Sequence, residues 1–280
     1  MKKILLLLSL ALTLVAGEYM NGLEAYKRGD YKTALHFWQP LAEAGDAGGQ
    51  WSLGTMYRKG HGVSKDNEKA FFWFQKAAKQ GDMDGEYSLG KMYRNGKGVE
   101  QDYEIAAYWF FKAAEQGSGK AQYSLGVMYY NGYGVSQDHK KAVQWFREAA
   151  RQGSSKAQFS LGVMYYNGYG VLRDHRSAFE WYKRAAEQGD IKSQKKLIAM
   201  YRSGHGVGQS DEKALYWHIK TAEQGDAASQ SELMKMYCMG QGVSEDLHKC
   251  AYWAEKAYNN GEDVKNMWNK FELWKYKKSN

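Results

Sequence analysis

Apolar residues along this chain follow a helical rhythm that breaks and restarts, and the whole pattern returns every 36 positions. In the segment 83–118, Leu89, Met92 and Tyr93 stand at helical spacing, which predicts a first helix. Asn95-Gly96-Lys97-Gly98 follows, supplying glycines for the left-handed backbone that ends a helix. Val99 is placed to tuck the connection onto a core, and Asp102 to cap the next helix by accepting from its free N–H groups. The second helix carries Ala106, Trp109, Phe110, Ala113 and Ala114 on one stripe, and Gln116-Gly117 stops it. No segment sustains the period-2 alternation of a half-buried strand, so the chain is predicted to be all-α.

The unit repeats in strict frame. Leu53-Gly54-x-Met56-Tyr57 returns from Leu89, Leu125 and Leu161, and then without its glycine from Leu197 and Leu233. The Gly-x-Gly-Val turns starting at Gly60, Gly96, Gly132, Gly168, Gly204 and Gly240 keep step, as do Trp73, Trp109, Trp145, Trp181, Trp217 and Trp253. Six units of 36 residues therefore fill 47–262 without insertion or deletion. One helix pair alone would leave its apolar stripe in water, so stability must come from stacking neighbours into a continuous core.

Leu-Gly-x-x-Tyr followed by Ala, an aromatic and Ala resembles the tetratricopeptide pattern, lengthened here in the Gly-x-Gly-Val turn. Together with Lys-Ala-x-x-Trp and Lys-Ala-Ala-x-Gln-Gly-Asp, the order of motifs is similar to the Sel1-like repeat family, over residues 47–262. That resemblance implies a right-handed α/α superhelical solenoid and a role as adaptor, scaffold or exported factor that engages another protein. The family's cysteine-rich branch implies an alternative, an envelope enzyme that binds or hydrolyses β-lactams. This chain lacks that branch's cysteine pair in nearly every repeat, so the enzymatic alternative rests on analogy.

The ends depart from the repeat. Residues 1–17 combine Lys2 and Lys3, an apolar run of about a dozen residues and the small pair Ala16-Gly17, the make-up of a signal peptide cleaved after Gly17. The expected compartment is periplasm or medium. No cysteine follows the run to take a lipid, and no later stretch approaches the roughly 20 apolar residues that a membrane span needs. Residues 18–46 read as a degenerate capping hairpin, with Leu23, Tyr26 and Gly29 echoing the first helix and Ala34, Trp38 and Leu41 the second. Pro40 is expected to kink or shorten that second helix. In 263–280, Val264, Met267, Trp268, Phe271 and Trp274 predict one last amphipathic helix before a basic tail at Lys275, Lys277 and Lys278.

Losing 1–17 removes two lysines and no acids, taking the formal charge from +8 to +6 on a chain in which both signs mix in every repeat. That distribution argues against nucleic acid as a partner. There is no Gly-x-Ser-x-Gly, no His-Glu-x-x-His and no phosphate loop, and the six Gly-x-Gly elements are turns. The histidines are spread over repeat positions: His139 and His175 share one, and His61 and His205 share the middle of the turn. No metal, cofactor or catalytic residue is expected. The two cysteines, Cys238 and Cys250, both lie in the last unit, where a disulfide is expected in an oxidising compartment and two buried thiols are the alternative.

In tetratricopeptide-like solenoids the first helix of each pair lines the concave side, and its positions outside the core select the partner. Counted from the Leu of Leu-Gly, the candidate positions lie two before it and two, five and six after it. They propose a partner-binding groove of Tyr87, Arg94, Tyr123, Val127, Tyr130, Asn131, Phe159, Val163, Tyr166, Asn167 and Arg202. Aromatic anchors, amide donors and arginine flanks suit a protein or peptide carrying acidic groups. The alternative is that the aromatics pack between successive first helices. Repeats 3 and 4 are also nearly identical, so a duplication would produce the same match.

Overall fold

The computed structural model describes residues 2–276, with side chains from residue 15; Lys277 and Lys278 of the basic tail lie outside them. The chain divides into two compact units, Met1–Ala149 and Ala150–Asn280. In the first, α1 (Lys2–Lys27), α2 (Tyr31–Glu43), α3 (Ala47–Lys59), α4 (Asn67–Lys79), α5 (Met83–Asn95), α6 (Tyr103–Glu115), α7 (Gly119–Asn131) and the start of α8 (His139–Arg151) follow one another. In the second come α9 (Ser155–Asn167), α10 (His175–Glu187), α11 (Ile191–Ser203), α12 (Asp211–Glu223), α13 (Ala227–Met239), α14 (Leu247–Asn259) and α15 (Lys265–Lys270). No strand occurs among the described residues, and consecutive helix pairs pack as in an α-solenoid.

Local chemistry sets the uniform element lengths. Asp102 caps α6 by accepting from the Ile105 N–H at 2.8 Å, and Asp82 caps α5 by accepting from the Gly85 N–H at 2.7 Å. At the other end of α5, Gly96 takes the left-handed conformation (φ 61°) and its N–H donates to Met92 O. The second turn glycine serves a different end. A Cβ on Gly98 would overlap the carbonyl of Asn67, the first residue of the preceding α4, so this glycine lets one repeat's turn seat on the preceding repeat's backbone.

Leu89 and Met92 are buried with Ala70, Phe74 and Ala78 of the preceding helix, and Ala106, Phe110, Ala113 and Ala114 with Ala121, Leu125 and Met128 of the following one. Gly90 makes room for the Phe110 ring, which would lie 2.8 Å from an added Cβ; Gly54 does the same for Phe74, Gly126 for Phe146 and Gly162 for Tyr182. Where the glycine is lost, its counterpart on the second helix changes too, to His218 opposite Ile198 in sequence register and to Ala254 opposite Met234. Gly22 and Trp38 form the corresponding pair in the capping hairpin.

A buried amide relay links the layers. Gln122, Gln158, Gln194 and Gln230 each donate a side-chain N–H to a carbonyl at the end of the preceding helix, Ala114, Ala150, Ala186 and Ala222, at 2.9–3.4 Å. The amide capping the repeat's own second helix then donates to that glutamine: Gln188 to Gln158 Oε1 at 2.7 Å, Gln224 to Gln194 Oε1 at 3.1 Å and Asn260 to Gln230 Oε1 at 2.9 Å. In the second repeat the buried position is Glu86, which accepts from Gln116 at 2.8 Å and has no donor for the carbonyl of Ala78.

Two expectations about the ends, on Pro40 and on the C-terminal helix, are changed. α1 runs unbroken from Lys2 through the first helix of the capping hairpin. Pro40 does not shorten α2, which keeps 13 residues; Pro40 and His36 are both exposed, so the carbonyl deprived of its helical donor meets water. The single C-terminal helix is broken. α15 spans six residues, Glu272 turns left-handed (φ 48°) and a 3₁₀ turn, Leu273–Lys275, follows. That turn buries Leu273 completely and leaves Trp274 about half exposed, the reverse of the expected stripe.

Candidate partner-binding surface

The groove candidates of the first unit sit on the first helix of each pair, where the helical period carries them off the buried Leu and Met. Tyr87 and Tyr123 are half-buried, with rings 5.7 Å from Phe110 and 5.8 Å from Phe146 of their own repeats. They close the core from outside while keeping an open edge. Tyr130 rests on His139 at 5.2 Å, and Asn131 spends one amide N–H on the carbonyl of Val127 at 2.8 Å. Arg94 is half-buried, its guanidinium 5.6 Å above the Phe110 ring.

In the second unit, Phe159, Val163 and Tyr166 pack against the local core, and Phe159 lies 5.7 Å from Tyr182. Tyr166 meets His175 edge-on at 4.7 Å, and Asn167 donates to Val163 O at 2.9 Å. Arg202 has Glu232 at 3.9 Å, and Lys195, at the Tyr87 position, pairs with Asp226 at 2.7 Å. Cys238 leaves the series of groove positions altogether. It is fully buried and joined to Cys250, with Cα atoms 5.1 Å apart. The structure thus makes these aromatics partly core and partly surface, between the two alternatives of the sequence.

Two cavities open on this face of the first unit. One, of about 390 Å³, is lined by Trp51, Thr55 and Arg58 of α3, Tyr87, Ser88, Lys91 and Asn95 of α5, and residues that include Lys65, Lys97 and Lys120. The Trp51 indole N–H donates to Ser88 Oγ at 3.1 Å and holds α3 and α5 at one wall. The other, of about 610 Å³, is lined by Arg94, Asn95, Val127, Met128, Tyr103 and Tyr133 among others. Tyr87, Arg94 and Val127 are therefore cavity-lining. Lys91 and Lys97 were missed in the sequence because one occupies a slot filled by Thr55, Val127 and Val163 elsewhere, and the other hides in the variable place of a turn.

The histidines do not gather into a site. His61 stacks on Tyr31 at 4.0 Å and His175 on His205 at 5.7 Å. No group of three or more His, Cys, Asp or Glu able to hold a metal occurs among the described residues. His218 is buried with both ring nitrogens lacking hydrogen-bond partners, and burial pushes its pKa down to about 4.

The Sel1 repeat model matches this chain seven times, at residues 9–46, 47–82, 84–118, 119–154, 155–190, 199–226 and 227–262. The chain belongs to the Sel1 repeat family. The first match takes in the capping hairpin and begins within 1–17. Among solved structures, the chain is 34% identical to a Sel1 repeat protein from Oxalobacter formigenes (TM-score 0.76), covering 86% of this chain and 99% of that one. It is 42% identical to a protective antigen present in uropathogenic Escherichia coli strains that displays the same repeat fold (TM-score 0.77), over 82% of this chain and 49% of that one. The chain spans about half the length of that antigen. A 50-residue stretch, 18% of this chain and 19% of its relative, is 40% identical to an exopolysaccharide production negative regulator of Rhizobium leguminosarum bv. viciae. Sel1 repeat proteins are in general protein–protein interaction scaffolds, and their fold is typically non-enzymatic. No described helix is long and apolar enough to cross a membrane.

Proposed function

We propose that this protein is an exported scaffold, periplasmic or secreted, that binds another protein or peptide on the face formed by the first helices of its repeats. One observation carries the reading: positions the fold only partly buries, such as Trp51, Arg58, Tyr87, Arg94 and Val127, line open cavities, whereas Leu89, Gly90 and Met92 are spent on packing. The basic, apolar start of the chain supports export. The 42% identity to a protective antigen of uropathogenic Escherichia coli strains supports it further.

Crosslinking the protein in its own envelope and identifying what it captures tests the reading, provided the comparison includes surface variants. Val127→Lys and Tyr87→Ala should reduce capture while helicity is retained. Tyr252→Ala, on an exposed ring of a second helix, should not. Capture that is lost only in the Tyr252 variant refutes the assignment to this face, and turnover of a chromogenic β-lactam by the purified protein refutes the non-enzymatic reading.

A further inference from the structure

The cavity between α3 and α5 gathers more positive charge than the fold can use. Arg58, Lys65, Lys91, Lys97 and Lys120 line it, against a single acid, Asp84. Among the described residues none of these five cations makes an ion pair. The second unit differs at the corresponding positions, since Arg202, at the Arg58 position, and Lys235, at the Lys91 position, both lie 3.9 Å from Glu232. Lys91 bears the cost most directly. Burial lowers its pKa, and the nearby charges of Arg58, Arg94, Lys120 and Lys97 lower it further. Lys91 lies over the Tyr87 ring at 5.5 Å, but like charges held together without ion-pair partners are unfavourable unless an anion joins them.

We propose that this cavity binds the carboxylates of an acidic peptide, with an apolar side chain between them laid against Trp51 and Tyr87. The proposal rests on the reading that this face takes a peptide, and it specifies the peptide's chemistry and position. The cations come from α3, α5, α7 and two connections, so they serve several separated anions better than one convergent phosphate. The indole held by Ser88 supplies a rigid aromatic wall, and Ser88, Thr55 and Asn95 offer polar groups for a peptide backbone. A peptide is favoured over an anionic polysaccharide because Sel1 repeats in general engage proteins.

The test is fluorescence anisotropy on the full chain with a labelled octapeptide of alternating glutamate and leucine, its glutamine counterpart, and unlabelled polygalacturonate and inorganic phosphate as competitors. The acidic peptide should bind saturably at low salt, weaken as salt rises, and resist competition by the glutamine peptide. Arg58→Gln with Lys91→Met should weaken it about tenfold. Lys220→Met, a surface change in the second unit, should leave it unchanged, and circular dichroism should show all variants equally helical. Absence of binding, equal binding of the glutamine peptide, or equal effects of the two sets of variants would overturn the proposal. Displacement by polygalacturonate or phosphate at lower concentration than by the unlabelled peptide would overturn it in favour of those anions. If the captured envelope partner is lost with Val127→Lys but kept with Arg58→Gln and Lys91→Met, this cavity is wrong while the peptide-binding face stands.

Discussion

Glu86 interrupts the amide relay, and replacing it with glutamine should stabilise the protein. In four other repeats the glutamine at this position, Gln50, Gln158, Gln194 or Gln230, both donates to a carbonyl of the preceding helix and accepts from the capping amide of its own second helix. An ionised Glu86 can only accept. It takes the bond from Gln116, leaves the carbonyl of Ala78 without a side-chain donor, and is itself 4% exposed. Burial raises its pKa above the usual carboxylate value, outweighing the hydrogen bond from Gln116 that lowers it. Folding therefore binds the proton more tightly, and stability falls as pH rises from the unfolded pKa through the raised folded one. Below that window a protonated Glu86 offers a donor and an acceptor, as glutamine does. Above it, Glu86→Gln restores one hydrogen bond worth about 1 kcal/mol and removes a buried charge, together about 1–2 kcal/mol. At roughly 2–4 °C per kcal/mol for a chain of this size, the melting midpoint by circular dichroism should rise several degrees at pH 7 and little at pH 4. A lower midpoint at pH 7, or an equal shift at both, would refute the reasoning.

Gly126→Ala would place a Cβ 2.6 Å from the Phe146 ring, inside a packed layer, and should cost about 1–3 kcal/mol in chemical denaturation; a neutral result would mean that the ring is free to yield. Stability should also fall in acid between about pH 6.5 and about 4, because His218, with its folded pKa pushed down, binds its proton more readily once unfolded. His218→Leu should flatten that part of the pH profile, and an unchanged slope would assign it to other groups. Cys238 and Cys250 should resist alkylation in protein prepared from the envelope, and reduction should destabilise the last repeat by about 2–3 kcal/mol for so short a loop. Two thiols alkylated without reductant would sink that expectation.

Much of the fold could be read directly. The 36-residue period, the aspartate caps and the left-handed glycines act within a few residues of one another, so a local pattern suffices to place every helix pair from 47 to 262. Of the groove positions proposed by analogy with tetratricopeptide-like solenoids, Tyr87, Arg94 and Val127 line cavities. Their packing was not legible. Whether Tyr123 or Phe159 counts as core depends on the ring that the repeat's second helix brings beneath it. The charge cluster around Lys91 was hidden for the same reason, since Arg58 and Lys120 meet it only through stacking of successive repeats. At the C-terminus, the apolar spacing from Val264 to Trp274 fits one helix, yet the left-handed Glu272 ends it early and Leu273 fills the last layer instead of Trp274. A sequence determines what each short segment can do by itself; which of those options survives is decided by what neighbouring layers bury, and that burial exists only once the repeats have stacked.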